Sequence, residues 1–192
     1  EKSKETIYDM FDELDETSFE AYLKENTAVN RRNWRDIRIN EAGLDDEGTS
    51  IMTKQGDQVL AVDAKNELLL VRVKGTGYQG VLAILKDPSA LRCCPAENIG
   101  LYGEFLGDLV PRCNGVLGVN ASGFSDYKGG GNGGKVKGYT MCSGEEFGKH
   151  FDNSRKRLEL RNDDKIYIVD ASTETNPETR DAVEFRPALI ID

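Results

Sequence analysis

Residues 67–85 read ELLLVRVKGTGYQGVLAIL, two apolar runs (67–75 and 78–85) with Gly75 and Gly77 between them. Apolar runs of this length bounded by glycine predict two strands joined by a hairpin or a bulge. Asp87-Pro88-Ser89 ends the second strand, because proline lacks a backbone donor and aspartate favours a turn. Upstream, Asp57 to Ala64 predicts another strand; residues 34–39 alternate weakly, and 40–56 read as turn and loop. Downstream, GVLGVNA (115–121), VKGYTMC (136–142), RKRLELR (155–161) and DKIYIVD (164–170) read as strands, with a turn at Asn162-Asp163, and VEFRPALIID (183–192) is the last apolar segment. Helical spacing occurs in three places. Ile7, Met10, Phe11 and Leu14 make one stripe. Thr17 with Glu20 forms a capping-box pattern ahead of a second stripe, Phe19, Tyr22 and Leu23. Phe105, Leu106, Leu109 and Val110 make the third, within Gly103 to Pro111. Short helices set among strands, with no internal repeat, predict an α+β (mixed α/β) fold with a mostly antiparallel or mixed sheet.

The chain has 192 residues, 38% hydrophobic, and a formal charge of −9. That length and apolar content suit a globular domain that needs neither disulfide nor metal to fold. Overall acidity argues against a nucleic-acid partner, which demands a basic face. The acidity is concentrated: residues 1–25 hold nine acids and three lysines, a net of −6, so 1–30 read as an acidic helical arm and 31–192 as the body. Glycine is concentrated too. Nine of the 20 lie in 115–138, and the stretch 127–143 carries Lys128, Lys135 and Lys137 with no acid. A flexible, locally basic loop in an acidic chain suits an anion, since glycine lets a ligand approach the backbone and lysine supplies charge. A surface loop without a ligand is the alternative.

Several familiar chemistries are excluded by context. Gly129, Gly131 and Gly134 fit G-x-G-x-x-G, but Asp126-Tyr127-Lys128 precedes them and a β-like run follows, where a dinucleotide site needs a strand before and a helix after. Gly129, Gly134 and Lys135 fit G-x₄-G-K, but Val136 stands where a Ser or Thr would bind Mg²⁺. His150, the one histidine, lies in FGKHFDNS and reads as a solvated loop residue; there is no G-x-S-x-G elbow. Cys93, Cys94, Cys113 and Cys142 match no zinc spacing. They read as free, partly buried thiols, with a vicinal Cys93–Cys94 disulfide as the alternative. No metal and no cofactor are expected.

The most informative stretch is GVLGVNASGFSD (115–126). Val116, Leu117 and Val119 would bury a strand, and Asn120 would emerge at its C-terminal end. An amide both donates and accepts, which suits a sugar hydroxyl or a phosphate oxygen. Gly123 permits a sharp turn, Phe124 can pack beneath it, and Asp126 offers a carboxylate. A structural Asx-turn is the competing reading.

Together, YQGVLAILKDPS (78–89), the 103–111 helix, GVLGVNASGFSD (115–126) and GNGGKVKGYT (131–140) resemble, in order, the blocks of the phosphodiester glycosidase family, which includes the lysosomal uncovering enzyme. The resemblance covers about residues 67–192. Val136 departs from it where proline is usual, and Tyr139-Thr140 replaces a more apolar pair. It implies hydrolysis of a glycosyl phosphodiester to free sugar and a phosphomonoester, in an extracytoplasmic protein. Asn120 would orient sugar or phosphate, and Asp126 would be the catalytic carboxylate. Ser122, Gly123, Phe124, Asn132, Gly133, Gly134 and Lys135 would line the substrate and phosphate site. The family continues beyond a segment resembling Arg186–Asp192, so the resemblance implies further catalytic motifs in a missing C-terminal half, and an inactive chain without it. Partners would be a glycosyl phosphodiester or another carbohydrate, with the missing half or a second copy of the chain completing the fold. A non-catalytic cell-surface carbohydrate-binding or interaction domain is the second reading. An assembly module acting through its acidic helices is the third.

Overall fold

The computed structural model describes residues 11–25, 39–40, 43–44, 49–125, 132–150 and 154–185. Every strand pair among them is antiparallel, and the α-helices are short, as the α+β expectation requires. The chain forms two compact units, Glu1–Asp87 and Pro88–Asp192. The boundary expected at residue 30 lies outside the described residues, as do Ile7 and Met10.

In the first unit, helix α1 (Glu16–Glu25) precedes a short pair, β1 (Ile39–Asn40) and β2 (Gly43–Leu44), and a meander of β3 (Gln58–Asp63), β4 (Leu68–Gly75) and β5 (Tyr78–Leu85). The β4–β5 hairpin closes on Thr76-Gly77, with Gly75 opposite Tyr78. Gly77 takes φ +83°, the left-handed backbone such a tight turn asks of glycine. An irregularity between Val59 and Ala61 shifts the phase of β3. Val59 and Val62 therefore join Leu69 and Val71 in the main core, while Leu60 and Ala61 join Leu70 in a second cluster. This is why the apolar runs in β3 and β4 are continuous rather than alternating.

The main core is closed by Phe11, Leu14, Phe19, Tyr22 and Ile51. Here the structure corrects two expectations. Phe11 and Leu14 are buried, but Leu14 forms a β-bridge to Thr53 instead of lying in a helix, and Asp15 N–H donates to Met52 O at 2.8 Å. The first residues of α1 are capped by Asp15, not Thr17. Its Oδ1 accepts the Ser18 N–H at 2.8 Å and its carbonyl accepts the Phe19 N–H at 3.1 Å. Aspartate wins because it lies one turn ahead of Phe19, the buried aromatic of α1, and leaves Thr17 exposed.

The second unit carries a 3₁₀ turn (Pro88–Ala90), helix α2 (Leu106–Arg112), a two-stranded pair of β6 (Gly123–Phe124) and β7 (Val136–Lys137), and a five-stranded sheet. Its strands are β8 (Thr140–Cys142), β9 (Glu145–Phe147), β10 (Lys156–Arg161), β11 (Ile166–Asp170) and β12 (Thr179–Phe185), in the order β11-β10-β12-β8-β9. One face of this sheet buries charge. Glu159 is fully buried and accepts from Arg157 (Nη2, 2.7 Å; Nε, 3.0 Å), Arg161 (Nη2, 2.8 Å; Nε, 3.0 Å) and the Thr179 hydroxyl (3.1 Å). Arg157 also donates to the carbonyls of Ala171 and Thr173 and lies over the Tyr139 ring. Burial pushes the Glu159 carboxyl up, but its hydrogen bonds from Arg157, Arg161 and Thr179 outweigh this and hold it below the usual range.

Two outcomes follow for thermal or urea unfolding. Phe19→Ala should cost about 3–5 kcal/mol and Asp15→Ala about 1 kcal/mol, with Thr17→Ala within about 0.5 kcal/mol. Equal losses at Asp15 and Thr17 would contradict the capping assignment. Because the folded pKa of Glu159 is depressed, its contribution is full above the unfolded carboxyl value of about 4.3 and fades as pH falls through the folded value. Glu159→Gln should therefore lower stability at pH 7 by about 3–5 kcal/mol and give a shallower loss toward acid than wild type.

Candidate functional site at the glycine-rich hairpin

The hairpin β6–β7 pairs Gly123 with Lys137 and Phe124 with Val136, and Ser125 N–H donates to Lys135 O at 2.8 Å. Ser122, at the entry, holds a left-handed φ of +58°, and its hydroxyl is hydrogen-bonded to the Thr140 hydroxyl on β8. Gly123 is required by the close pairing: a Cβ there would stand 2.9 Å from the Lys137 carbonyl oxygen. Ser122, Gly123 and Phe124 are thus brought beside Lys135–Thr140, so two separate sequence blocks form one structure. Phe124 and Lys135 are exposed. Asp126 and Gly129–Gly131 lie outside the described residues.

The other end of the loop rests on the segment 98–103. Asn132 Nδ2 donates to Leu101 O at 2.6 Å, the Asn132 carbonyl accepts the Gly103 N–H, and Asn132 Oδ1 accepts the Gly134 N–H at 3.2 Å. Gly100 N–H donates to Gly134 O at 2.7 Å. The backbones approach so closely that a Cβ on Gly134 would overlap Leu101 and Tyr102. Asn132 and Gly134 therefore anchor the loop, and the Gly134 N–H is already engaged. Gly133, at φ +65°, sits between Gly103 and the Phe124 ring.

Segment 98–103 is itself braced. The Arg112 guanidinium donates to Glu104 through Nε (2.9 Å) and Nη2 (2.6 Å), and Nη2 also reaches Pro95 O at 2.7 Å. The hydrogen bond from Arg112 holds the Glu104 carboxyl below its usual range. Cys94 and Cys113 form a disulfide with Cα atoms 6.5 Å apart. This corrects the expectation of free thiols for Cys94 and Cys113 and replaces the vicinal alternative, since Cys94 meets the residue at the end of α2; Cys93 and Cys142 are free, as expected. Asn114, at φ +55°, then turns the chain away from that helix.

A second correction concerns 115–121, which is not a buried strand. Gly115 N–H donates to Val110 O at 2.8 Å, and Gly118 faces the Val110 side chain with no room for a Cβ. The segment lies along α2, no strand among the described residues pairs with it, and Val119 is 82% exposed. Asn120 is exposed on this segment instead of emerging from a sheet. His150 lies exposed outside any helix or strand, as expected, and its Nδ1 also lies 3.2 Å from Oε2 of the fully buried Glu184, which accepts the Tyr139 N–H at 2.9 Å. No sequence signal joined residues 34 apart.

Among the described residues, no group of three or more His, Cys, Asp or Glu side chains could hold a metal ion. No helix among them is long and apolar enough to cross a membrane. The site offers an exposed lysine, an exposed amide two residues before Ser122, and exposed aromatic rings at Phe124 and Tyr102 next to the loop anchor. Such a surface can stack a sugar and attract an anion. Compared with protein-family models, curated proteins and solved structures, the chain finds no match.

The anchoring predicts opposite outcomes for two glycine-to-alanine changes. Gly134→Ala should destabilise by about 1–3 kcal/mol, because a backbone must move to admit the methyl group. Gly107→Ala, with open space around it inside α2, should stabilise by up to about 1 kcal/mol. Thermal melts of the two variants check both signs.

Proposed function

We propose that the chain belongs to a glycosyl phosphodiester hydrolase, which releases a free sugar and leaves a phosphomonoester. One observation supports this most. The two sequence blocks that resemble the phosphodiester glycosidases, 115–126 and 131–140, meet in the β6–β7 hairpin, which is held at both ends and exposes Lys135 and Phe124. The chemistry suits such a site. A phosphate leaving group is a weak base and needs less general-acid help than an alkoxide. The larger requirement is for donors aimed at its charge. In this reading Lys135 attracts the phosphate, Phe124 stacks on the sugar, and Asn120 orients the diester from the exposed segment beside the hairpin. Asp126 is the proposed carboxylate. Gly123, Gly133 and Gly134 shape the backbone, while Ser122 and Asn132 position it. The Cys94–Cys113 disulfide agrees with the extracytoplasmic location proposed for such an enzyme, because disulfides persist in oxidising compartments.

The exposed aromatics also support the second reading, a carbohydrate-binding domain without catalysis. Sugar release from several glycosyl-1-phosphodiesters by the protein separates the two. The hydrolase reading predicts release, reduced about a hundredfold by Asn120→Ala. Equal release by wild type and Asn120→Ala would remove Asn120 from the site. No release from any diester, with sugar still bound, would favour the binding domain.

A further inference from the structure

Cys93 and Cys142 lie outside the disulfide already described, and their side chains are neighbours. Their meeting does not depend on the thiols alone. Cys142 ends β8, and the turn after it is fixed to β12 by two bonds, Ser143 N–H to Asp181 Oδ1 and Gly144 N–H to Arg180 O, each at 2.8 Å. The Arg180 guanidinium, from the same stretch of β12, reaches Leu91 O at 3.3 Å and Pro88 O at 3.4 Å. Leu91 is two residues before Cys93. One short piece of strand thus holds both cysteine-bearing segments, and holds them together.

We propose that Cys93 and Cys142 form a second disulfide under oxidising conditions, so that with Cys94–Cys113 all four cysteines are paired. In the reduced pair the neighbouring Cys142 thiol, helped by burial, pushes the Cys93 thiol up; the thiolate is the form that attacks a disulfide. The two thiols give up two protons and two electrons as their Sγ atoms bond. A small disulfide such as oxidised glutathione is cleaved and takes up both, leaving as two thiols. No third ligand joins the pair among the described residues, so a metal centre is not the alternative.

The cross-link would have a structural consequence for the hairpin. The loop it closes, residues 93–142, contains the whole Cys94–Cys113 loop and the segment bearing Asn120, β6 and β7. Both ends of that loop would then be covalently fixed at β8, an inner strand of the five-stranded sheet. The reduced protein holds the same segments by hydrogen bonds from Arg180, to Asp181 and between backbones.

Thiol counting with peptide mapping tests this. The protein is equilibrated in a reduced and oxidised glutathione buffer, acid-quenched, denatured and treated with iodoacetamide without reductant. The expected result is no alkylated cysteine, with fragmentation placing Cys93 on Cys142 and Cys94 on Cys113. The C142S variant should expose one alkylatable thiol, at Cys93, and keep Cys94–Cys113. A C94S/C113S variant, checked for native circular dichroism, removes ambiguity from the adjacent cysteines and should still form one disulfide. Alkylation of both Cys93 and Cys142 in the wild type would overturn the proposal. So would a cross-link mapped to any other pairing.

Discussion

Three carboxylates, those of Glu159, Asp181 and Glu184, are buried in one five-stranded sheet, and the second unit supplies hydrogen-bond donors to each. A buried charge without donors costs several kcal/mol, so each must be met by groups held in place by the fold. Glu159 takes two arginines from its own strand and a hydroxyl from β12. Asp181 takes the Ser143 N–H, and Glu184 takes the Tyr139 N–H and faces His150. These demands fix where the chain must run before and after β8. Tyr139 and Ser143 flank that strand on either side, so the carboxylates of β12 clamp both of its ends.

The candidate site inherits this fixation. Thr140, the first residue of β8, holds the hydroxyl of Ser122 at the mouth of the hairpin, and β7 leads into Tyr139 through Gly138 at φ +102°. At its far end the hairpin loop rests on 98–103 through Asn132 and the close approach at Gly134. That support is braced in turn by Glu104–Arg112 and by Cys94–Cys113. A glycine-rich loop is a poor scaffold by itself, because glycine loses the most conformational freedom on ordering. Hydrogen bonds and close contacts at both ends offset that loss.

Much of this was legible in the residues, for identifiable reasons. The strands β3, β4 and β5 announce themselves through apolar runs and glycine punctuation, and β10 and β11 through the Asn162-Asp163 turn. Local rules failed where a long-range partner decided the outcome. Phe11 and Leu14 fall at helical spacing, yet the bridge from Leu14 to Thr53 claims them for the meander's core. GVLGVNA has a strand's composition, but a strand also needs a neighbour, and α2 supplies contacts to one side alone. The pairing of Cys94 with Cys113, and of His150 with Glu184, depends on distances that spacing does not encode. Within the site, the residue types were readable, but the division of labour was not. Asn132 and Gly134 look like ligand groups in the sequence and serve as anchors in the fold.

In the proposed function a glycosyl phosphodiester binds on the exposed face of the β6–β7 hairpin, where binding can be read directly. Backbone amide resonances followed by NMR during titration with a methyl diester of N-acetylglucosamine-1-phosphate test it most directly. The account predicts saturable shifts at Asn120, Gly123, Phe124 and Lys135, with the amides of β3–β5 unchanged. Shifts confined to residues away from the hairpin, or none at saturating ligand, would contradict it.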